Sequence, residues 1–438
     1  MLTQVIFDGL VIELWLSRLY KEKMEKREVI LGLGSNVGNR REMLRFAVLE
    51  LVKYLENMRV SHIFESKALL PEGAPPEWNM PYYNMAVAGK TNFEPQELLS
   101  TVKQIEQQLG REKFGHWCPR KIDIDILGME DVMIDSEVLQ VPHKELLKRN
   151  FVLIGMAEIA PNWLHPIVGK TAKELVKAIP LGGLAMIKRP ELVGIINITP
   201  DSFSDGGESF SSQDALTNIL RLVDEGVDII DIGAESTRPN AQAISQEEEW
   251  VRLEPVLAQL TGFPIPISVD TRYSETAKKA LALGASWIND VSGFASGEMV
   301  SVVRDSDCKL VVMHSLTVPA DKNVVLPTDA DPVELIINWA KTRIAELEKA
   351  GINRNRIIFD PGIGFGKNAE QSQAIIDGVA RFRALEVPIL IGHSRKSFLQ
   401  AGGGDKDDAT IKISEFLAEN GVDYLRVHNV RRHSLEIL

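Results

Sequence analysis

The sequence predicts two domains, the second of them an α/β barrel of eight strand–helix units, (β/α)8, on three observations. The second half of the chain holds eight short apolar runs that each stop at a polar residue: ELVGIIN at Asn197, VDIID at Asp231, PIPISVD at Asp270, SWIND at Asp290, KLVVMH at His314, RIIFD at Asp360, VPILIGHS at Ser394 and VDYLRVH at His428. Parallel strands buried on both faces read as continuous Val/Ile/Leu runs of this kind. The 231 positions from Asn197 to His428 make seven intervals with a mean of about 33 residues, close to the roughly 31 per unit of an eightfold barrel. Between the runs lie SQDALTNILRLVDEG, EEEWVRLEPVLAQL, SETAKKALALG and DPVELIINWAKTRIAELEKAG, with apolar residues at helical spacing. Strand alternating with helix means a parallel sheet. In a closed barrel the strand C-termini share one rim, where function is built, so the terminal polar residues form a candidate site.

The other elements follow from composition and punctuation. At 438 residues, 45% hydrophobic and 25% charged, the chain has room for two or three domains. The barrel takes 191–438, residues 1–27 are a mildly apolar and then charged extension, and 28–168 form a separate domain. Residues 169–190, with Pro180, Gly182-Gly183 and Pro190, read as a linker. Few residues follow His428, so no full closing helix is expected. The net charge of −12 argues against a nucleic-acid-coating protein. No run approaches the roughly 20 apolar residues that span a bilayer. Cys118 and Cys308 fall in different domains, which points to a reduced, cytoplasmic compartment without disulfides.

In the first domain, Arg120-Lys121-Ile122-Asp123-Ile124-Asp125-Ile126-Leu127 alternates strictly. A strand here places Asp123 and Asp125 on one face and the isoleucines on the other. Paired carboxylates repel and raise each other's pKa, so such a strand meets cations, and hard Mg²⁺ suits oxygen ligands best. Arg111, Lys113, His116, Arg120, Lys121, His143, Lys144, Lys148 and Arg149 are a local excess of cations in an acidic chain, suited to a polyphosphate beside the metal. Gly32, Gly34 and Gly38 miss the G-x-G-x-x-G spacing by one, and Gly366-Lys367 has Pro361 where a Walker A glycine belongs. A nucleotide site is therefore of neither common type.

Residues 29–168 resemble the 6-hydroxymethyl-7,8-dihydropterin pyrophosphokinases through Gly34-Ser35-Asn36-Val37-Gly38, Tyr83-Asn84, the W-x-P-R-x-x-D-x-D core within Gly110 to Leu127, and Val141-Pro142-His143. The resemblance implies an α+β ferredoxin-like fold that moves pyrophosphate from ATP to the pterin hydroxymethyl group. It implies that Asp123 and Asp125 hold Mg²⁺, that Arg111, Arg120, His143 and Arg149 grip ATP, and that Arg111 and Arg120 are catalytic. By the same resemblance Asn84 reads the pterin edge, with Trp117, Phe151 and Tyr82 around the ring.

In the barrel, Asn197 opens a polar, glycine-rich loop over 199–207 suited to a lid, and Glu235-Ser236-Thr237-Arg238-Pro239 raises an arginine over the same rim. Asp270, Asn289 and Asp360 suit the amino-pyrimidine edge of a pterin, Lys396 follows on the same rim, and Arg426 and His428 bring positive charge for phosphate. Residues 191–433 resemble dihydropteroate synthases through Asn197 to Gly207, Glu235 to Pro239, Ser268-Val269-Asp270, Asn289-Asp290, DPGIGFGK from Asp360, Ser394 to Ser397 and Arg426-Val427-His428. The resemblance implies a TIM barrel that condenses dihydropterin pyrophosphate with 4-aminobenzoate and expels pyrophosphate. It assigns Asp270, Asn289, Asp360 and Lys396 to the pterin, and Asn197, Arg238, Arg426 and His428 to pyrophosphate, with Mg²⁺ at Asn197. Phe203, Thr237, Pro239 and Ser397 then border the aminobenzoate, and Lys396 and Arg238 are catalytic. Competing readings are a pterin-binding methyltransferase barrel and a non-catalytic pterin module. The expected partners are the small substrates alone, with no nucleic acid and no membrane, and a homodimer through the barrel is compatible with them.

Overall fold

The computed structural model describes residues 26–111, 118–179, 182–198, 212–235, 243–321, 323–396, 398–399 and 405–438. They form two compact units that divide between Lys188 and Arg189.

The first unit is built on strands β1 (Arg27–Ser35), β2 (Glu56–Val60), β3 (Ile63–Ser66), β4 (Tyr82–Thr91), β5 (Asp123–Met129), the short pair β6 (Ile134–Asp135) and β7 (Gln140–Val141), and β8 (Leu184–Ile187). Its sheet runs β5-β1-β4-β3-β8, with β2 also on β4, and every pairing is antiparallel. Helices α1 (Arg40–Leu51), α2 (Pro95–Gln108), α3 (Asn150–Ile159) and α4 (Ala172–Lys177) complete it. Along β5 the alternation appears as read: Ile124 and Ile126 are buried, and Asp123 and Asp125 are partly exposed on the opposite face. Helix α3 lies close on the sheet because Gly155 has no side chain; a Cβ there would sit 3.0 Å from Ala86 Cβ and from Ser61 Oγ.

Within 169–190 the described residues carry a helix and a strand. Thr171 caps α4 in a reciprocal capping box with Glu174, and β8 pairs with β3 from Ile63↔Ile187 to Ser66↔Leu184. Four residues reading LAMI carry little periodic signal, and it is pairing with β3 that makes them a strand.

The second unit carries parallel strands β9 (Glu191–Asn197), β10 (Ile229–Gly233), β11 (Ile267–Asp270), β12 (Trp287–Asp290), β13 (Lys309–Met313), β14 (Ile357–Asp360), β15 (Leu390–Ile391) and β16 (Tyr424–Val427). Their order is β14-β13-β12-β11-β10-β9-β16-β15, and a Phe359↔Ile389 bridge brings the two ends together. The helices are α5 (Ser212–Asp224), α6 (Gln246–Leu257), α7 (Ser274–Ala282), α8 (Gly297–Arg304), α9 (Pro332–Lys349), α10 (Ala369–Asp377), α11 (Lys406–Glu419) and α12 (Val430–Glu436). Helix α12 is short, two turns after β16. Asp331 caps α9 by accepting the Val333 and Glu334 N–H groups. Among the described residues no helix is long and apolar enough to cross a membrane.

Strand periodicity positions the site. Val193, Ile229, Trp287, Val311, Ile358 and Leu390, with Tyr424 against them, form one apolar layer inside the barrel. Side chains two residues further along a strand point the same way, so the next layer toward the strand C-termini takes Asp231, Asn289, Met313, Asp360 and Arg426. The intervening Ile230, Ile288, Val312, Phe359 and Leu425 face outward into the core beneath the helices. Phe359, fully buried, packs 5.7 Å from Phe382 and 6.4 Å from Trp339 between ring centroids. Phe359→Ala is expected to destabilise the barrel by about 3–5 kcal/mol, measured as a lower denaturant midpoint at unchanged slope; a midpoint within error of the parent contradicts that packing.

Candidate active sites

In the first unit the turn after β1 and the entry to β5 are tied together: Arg120 N–H donates to Asn36 Oδ1 at 2.7 Å and Asn36 N–H donates to Arg120 O at 3.2 Å. This fixes where Arg120 stands, and its guanidinium donates to Asp123 Oδ2 at 3.1 Å. Arg111, just past α2, reaches the other oxygen of Asp123 and also pairs with Glu106. Glu106, 2% exposed, accepts in addition from Lys103 and from the Ile124 N–H, each at 2.7 Å. It thereby locks the end of α2 to the acidic strand.

The two aspartates differ in environment. Burial works to raise the Asp123 carboxyl, but Arg120 and Arg111 hold it below the usual carboxylate range. Asp125 is pushed up, by burial and then by the charge of Asp123. His143 and Arg149 stand 3.8 Å from it, beyond hydrogen-bond distance. His143 is itself shifted down by burial, against the pull of Asp125. Asp123, Asp125, Arg111, Arg120, His143, Arg149, Tyr82, Asn84 and Phe151 all line one cleft of about 620 Å³, a size proper to a small-molecule site. Gly34 leaves room for the Asn84 amide, which a Cβ would approach to 3.3 Å. Asn84 donates to Ser66 Oγ at 3.0 Å and is 6% exposed.

In the barrel a small cavity is lined by Asp270, Asn289, Asp360, Lys396 and Arg426, with Phe365 from the loop after β14. Arg426 donates from Nε to Asp231 Oδ2 at 2.6 Å and from a terminal nitrogen to Asp270 Oδ2 at 2.9 Å. Asn289 Nδ2 donates to the same Asp231 oxygen at 3.2 Å. Burial pushes the Asp270 carboxyl up, to about 8, with Arg426 opposing. Asp360 is raised by burial, partly offset by the Gly362 N–H that donates to it at 2.7 Å. The Lys396 ammonium sits 4.4 Å from the Phe365 ring centroid, and burial lowers its pKa to about 8 against the pull of Asp360.

The loop that carries Asp360 and Phe365 is braced from below. Lys367, 6% exposed, meets His314 Nδ1 at 2.7 Å and donates to His314 O at 2.9 Å. Burial drives the Lys367 pKa far down and that of His314 to about 3. Gly362 lies at φ +66°, where a Cβ would fall 2.0 Å from His314 O, so only glycine fits this close approach.

Asn197 ends β9 in register with Gly233. His428 follows β16, its backbone N–H and Nδ1 both on Ser394 Oγ, at 3.3 and 3.0 Å. Burial, then Arg426, lowers its pKa to about 4, leaving the ring neutral. Asp290, another strand-end acid, turns aside to accept the Ser292 and Phe294 N–H groups and caps its own loop. Trp117, Phe203, Thr237, Arg238, Pro239 and Ser397 lie outside the described residues.

The sequence placed Asp231 in the strand-end candidate set, and Asn36 and Lys367 in motifs, without an individual role, and it did not single out Glu106. For Asp231 a signal existed: in VDIIDIG it stands two residues past Ile229, on the inward face. For Glu106 none did, since a glutamate on an amphipathic helix reads as solvent-facing.

An antiparallel unit with an acid pair among arginines, followed by a closed parallel barrel with buried acids and cations at its strand ends, is the form of a two-domain pterin transferase. Residues 30–161 match the 7,8-dihydro-6-hydroxymethylpterin-pyrophosphokinase family, and residues 193–428 match the pterin binding enzyme family. A folate synthesis bifunctional protein of Chlamydia muridarum is 40% identical over 92% of this chain and 95% of its own length. A mitochondrial folate synthesis bifunctional protein of Pisum sativum is 36% identical over 93% of this chain and 87% of its own. Among solved structures, dihydropteroate synthase from Xanthomonas albilineans with 4-aminobenzoic acid matches at 36% identity and TM-score 0.52, covering 57% of this chain and 90% of that one. The Anaplasma phagocytophilum dihydropteroate synthase with 6-hydroxymethylpterin-monophosphate matches at 34% and 0.53, covering 57% and 97%. The chain belongs to the bifunctional folate synthesis family: it joins a hydroxymethyl-dihydropterin pyrophosphokinase, with ATP as co-substrate, to a dihydropteroate synthase.

Proposed function

We propose that the two activities use the residues gathered above. In the first unit the pterin edge meets the Asn84 amide, with Tyr82, Phe151 and Trp117 around the ring, and the ATP phosphates lie along Arg111, Arg120, His143 and Arg149. The observation that carries this reading is the convergence of these acids and cations on one cleft. Asp123 and Asp125 fit Mg²⁺: two adjacent carboxylates on one strand face, the second raised by the first, are what a divalent cation relieves. Bound there, Mg²⁺ supplies charge neutralisation for the phosphates. The chain's own part is positioning: Arg111 and Arg120, anchored by Glu106 and Asn36, hold the triphosphate in line with the pterin hydroxyl.

In the barrel, Asp270, Asn289 and Asp360 receive the amino-pyrimidine edge, and Lys396 donates to the ring from the opposite side. Asn197, Arg238, Arg426 and His428 face the pyrophosphate, and Phe203, Thr237, Pro239 and Ser397 the aminobenzoate. The bond from the pterin methylene to pyrophosphate breaks, the ring delocalises the cation beside Asp270 and Asp360, and the aromatic amine attacks and loses a proton. Mg²⁺ at Asn197 belongs to the same proposal, as do a cytoplasmic location and a homodimer through the barrel. The test is a coupled assay with hydroxymethyl-dihydropterin, ATP, Mg²⁺ and 4-aminobenzoate: dihydropteroate is the expected product, and none from folded chain would sink the reading.

A further inference from the structure

Arg426 does not stand free to meet an anion. Its Nε lies on Asp231 and a terminal nitrogen on Asp270, and Asp270 is an acid that the pterin needs. A pterin edge bringing N–H donors to Asp270 meets a carboxylate that Arg426 already holds by Oδ2. Asp231 is better placed to keep its hold: it is 1% exposed, and Asn289 fixes the oxygen that Arg426 Nε uses. Its second oxygen, Oδ1, is buried with no hydrogen-bond partner among the described residues. Such an acceptor is costly to leave unmet. The Nε–H and the neighbouring terminal N–H₂ of a guanidinium form a fork that matches both oxygens of one carboxylate.

We propose that Asp231 is a positioning residue on which Arg426 pivots: when the pterin takes Asp270, the freed terminal nitrogen moves to Asp231 Oδ1, and the remaining guanidinium nitrogen turns to the pyrophosphate. Asp231 thus has two stations for Arg426, one shared with Asp270 and one closed on itself. Pterin and pyrophosphate then bind with positive coupling through one side chain, and such coupling is reciprocal. The inference rests on the barrel-site reading above.

The test uses the full chain and reads only the synthase step, supplied directly with dihydropterin pyrophosphate and 4-aminobenzoate, with 6-hydroxymethylpterin and inorganic pyrophosphate as paired inhibitors. In the parent each is expected to tighten the other at least fivefold. In Asp231→Asn, which keeps the shape and removes the charge, that factor is expected to fall toward one while 6-hydroxymethylpterin alone still inhibits. Arg426→Lys, whose ammonium lacks the planar fork that matches both oxygens of one carboxylate, is expected to lose the coupling too and serves if Asp231→Asn does not fold. Both inhibitors acting independently in the parent, or undiminished coupling in either variant, overturns the pivot and leaves the site reading intact. Inhibition by neither compound in the parent overturns the site reading and the pivot together.

Discussion

Lys396→Ala is expected to lower synthase turnover at least tenfold, which corresponds to about 1.4 kcal/mol of lost transition-state stabilisation. The ammonium is held over the Phe365 ring in a cavity lined by two acids, Asp270 and Asp360, so no neighbouring cation takes its place without leaving its own partner. The same burial that lowers its pKa to about 8 predicts the alkaline limb of the rate profile. Below that pH the ammonium is present; as pH rises through it, the donor charge is lost and kcat/KM falls. Lys396→Arg, whose guanidinium stays protonated, moves that limb to higher pH. Turnover of Lys396→Ala within a factor of two of the parent would remove this lysine from the mechanism.

Asp123→Ala is expected to take kinase turnover to background while the synthase step, assayed with its own substrate, keeps the parent rate. Among the described residues Asp123 is the carboxylate that Arg111 and Arg120 share; its loss leaves Arg120 without that ion pair and Arg111 with Glu106 alone, and removes one of two aspartates proposed for Mg²⁺. Removing one partner of a part-buried charged network costs more than the net worth of the pair, because the others are left unmet. Asp123→Asn, with the shape kept and the charge gone, separates the two effects: a kinase loss as deep as in Asp123→Ala assigns the defect to charge. Loss of both activities in either variant would refute independent sites.

Much of this was legible before any coordinates. The alternation around Asp123 and Asp125 was readable because one face of β5 must pack and the other cannot, and the eight apolar runs because both faces of a parallel barrel strand are buried. Other features were not local. The strand Leu184–Ile187 exists through pairing with β3, so its own four residues read as linker. Asp290 ends its strand as Asp270 and Asp360 do, yet its carboxylate turns to its own loop, a choice made by backbone geometry two and four residues on.

The sequence by itself determined the two units, the chemistry each rim could hold and the residue types that hold it, since periodicity and composition are properties of neighbours along the chain. Only the tertiary structure decided partnership. Arg426 was expected at the pyrophosphate and is found on Asp231 and Asp270, which precede it by 195 and 156 positions. No local pattern encodes which of several inward acids lies across a closed barrel; strand order and register do, and they exist only once the sheet has closed.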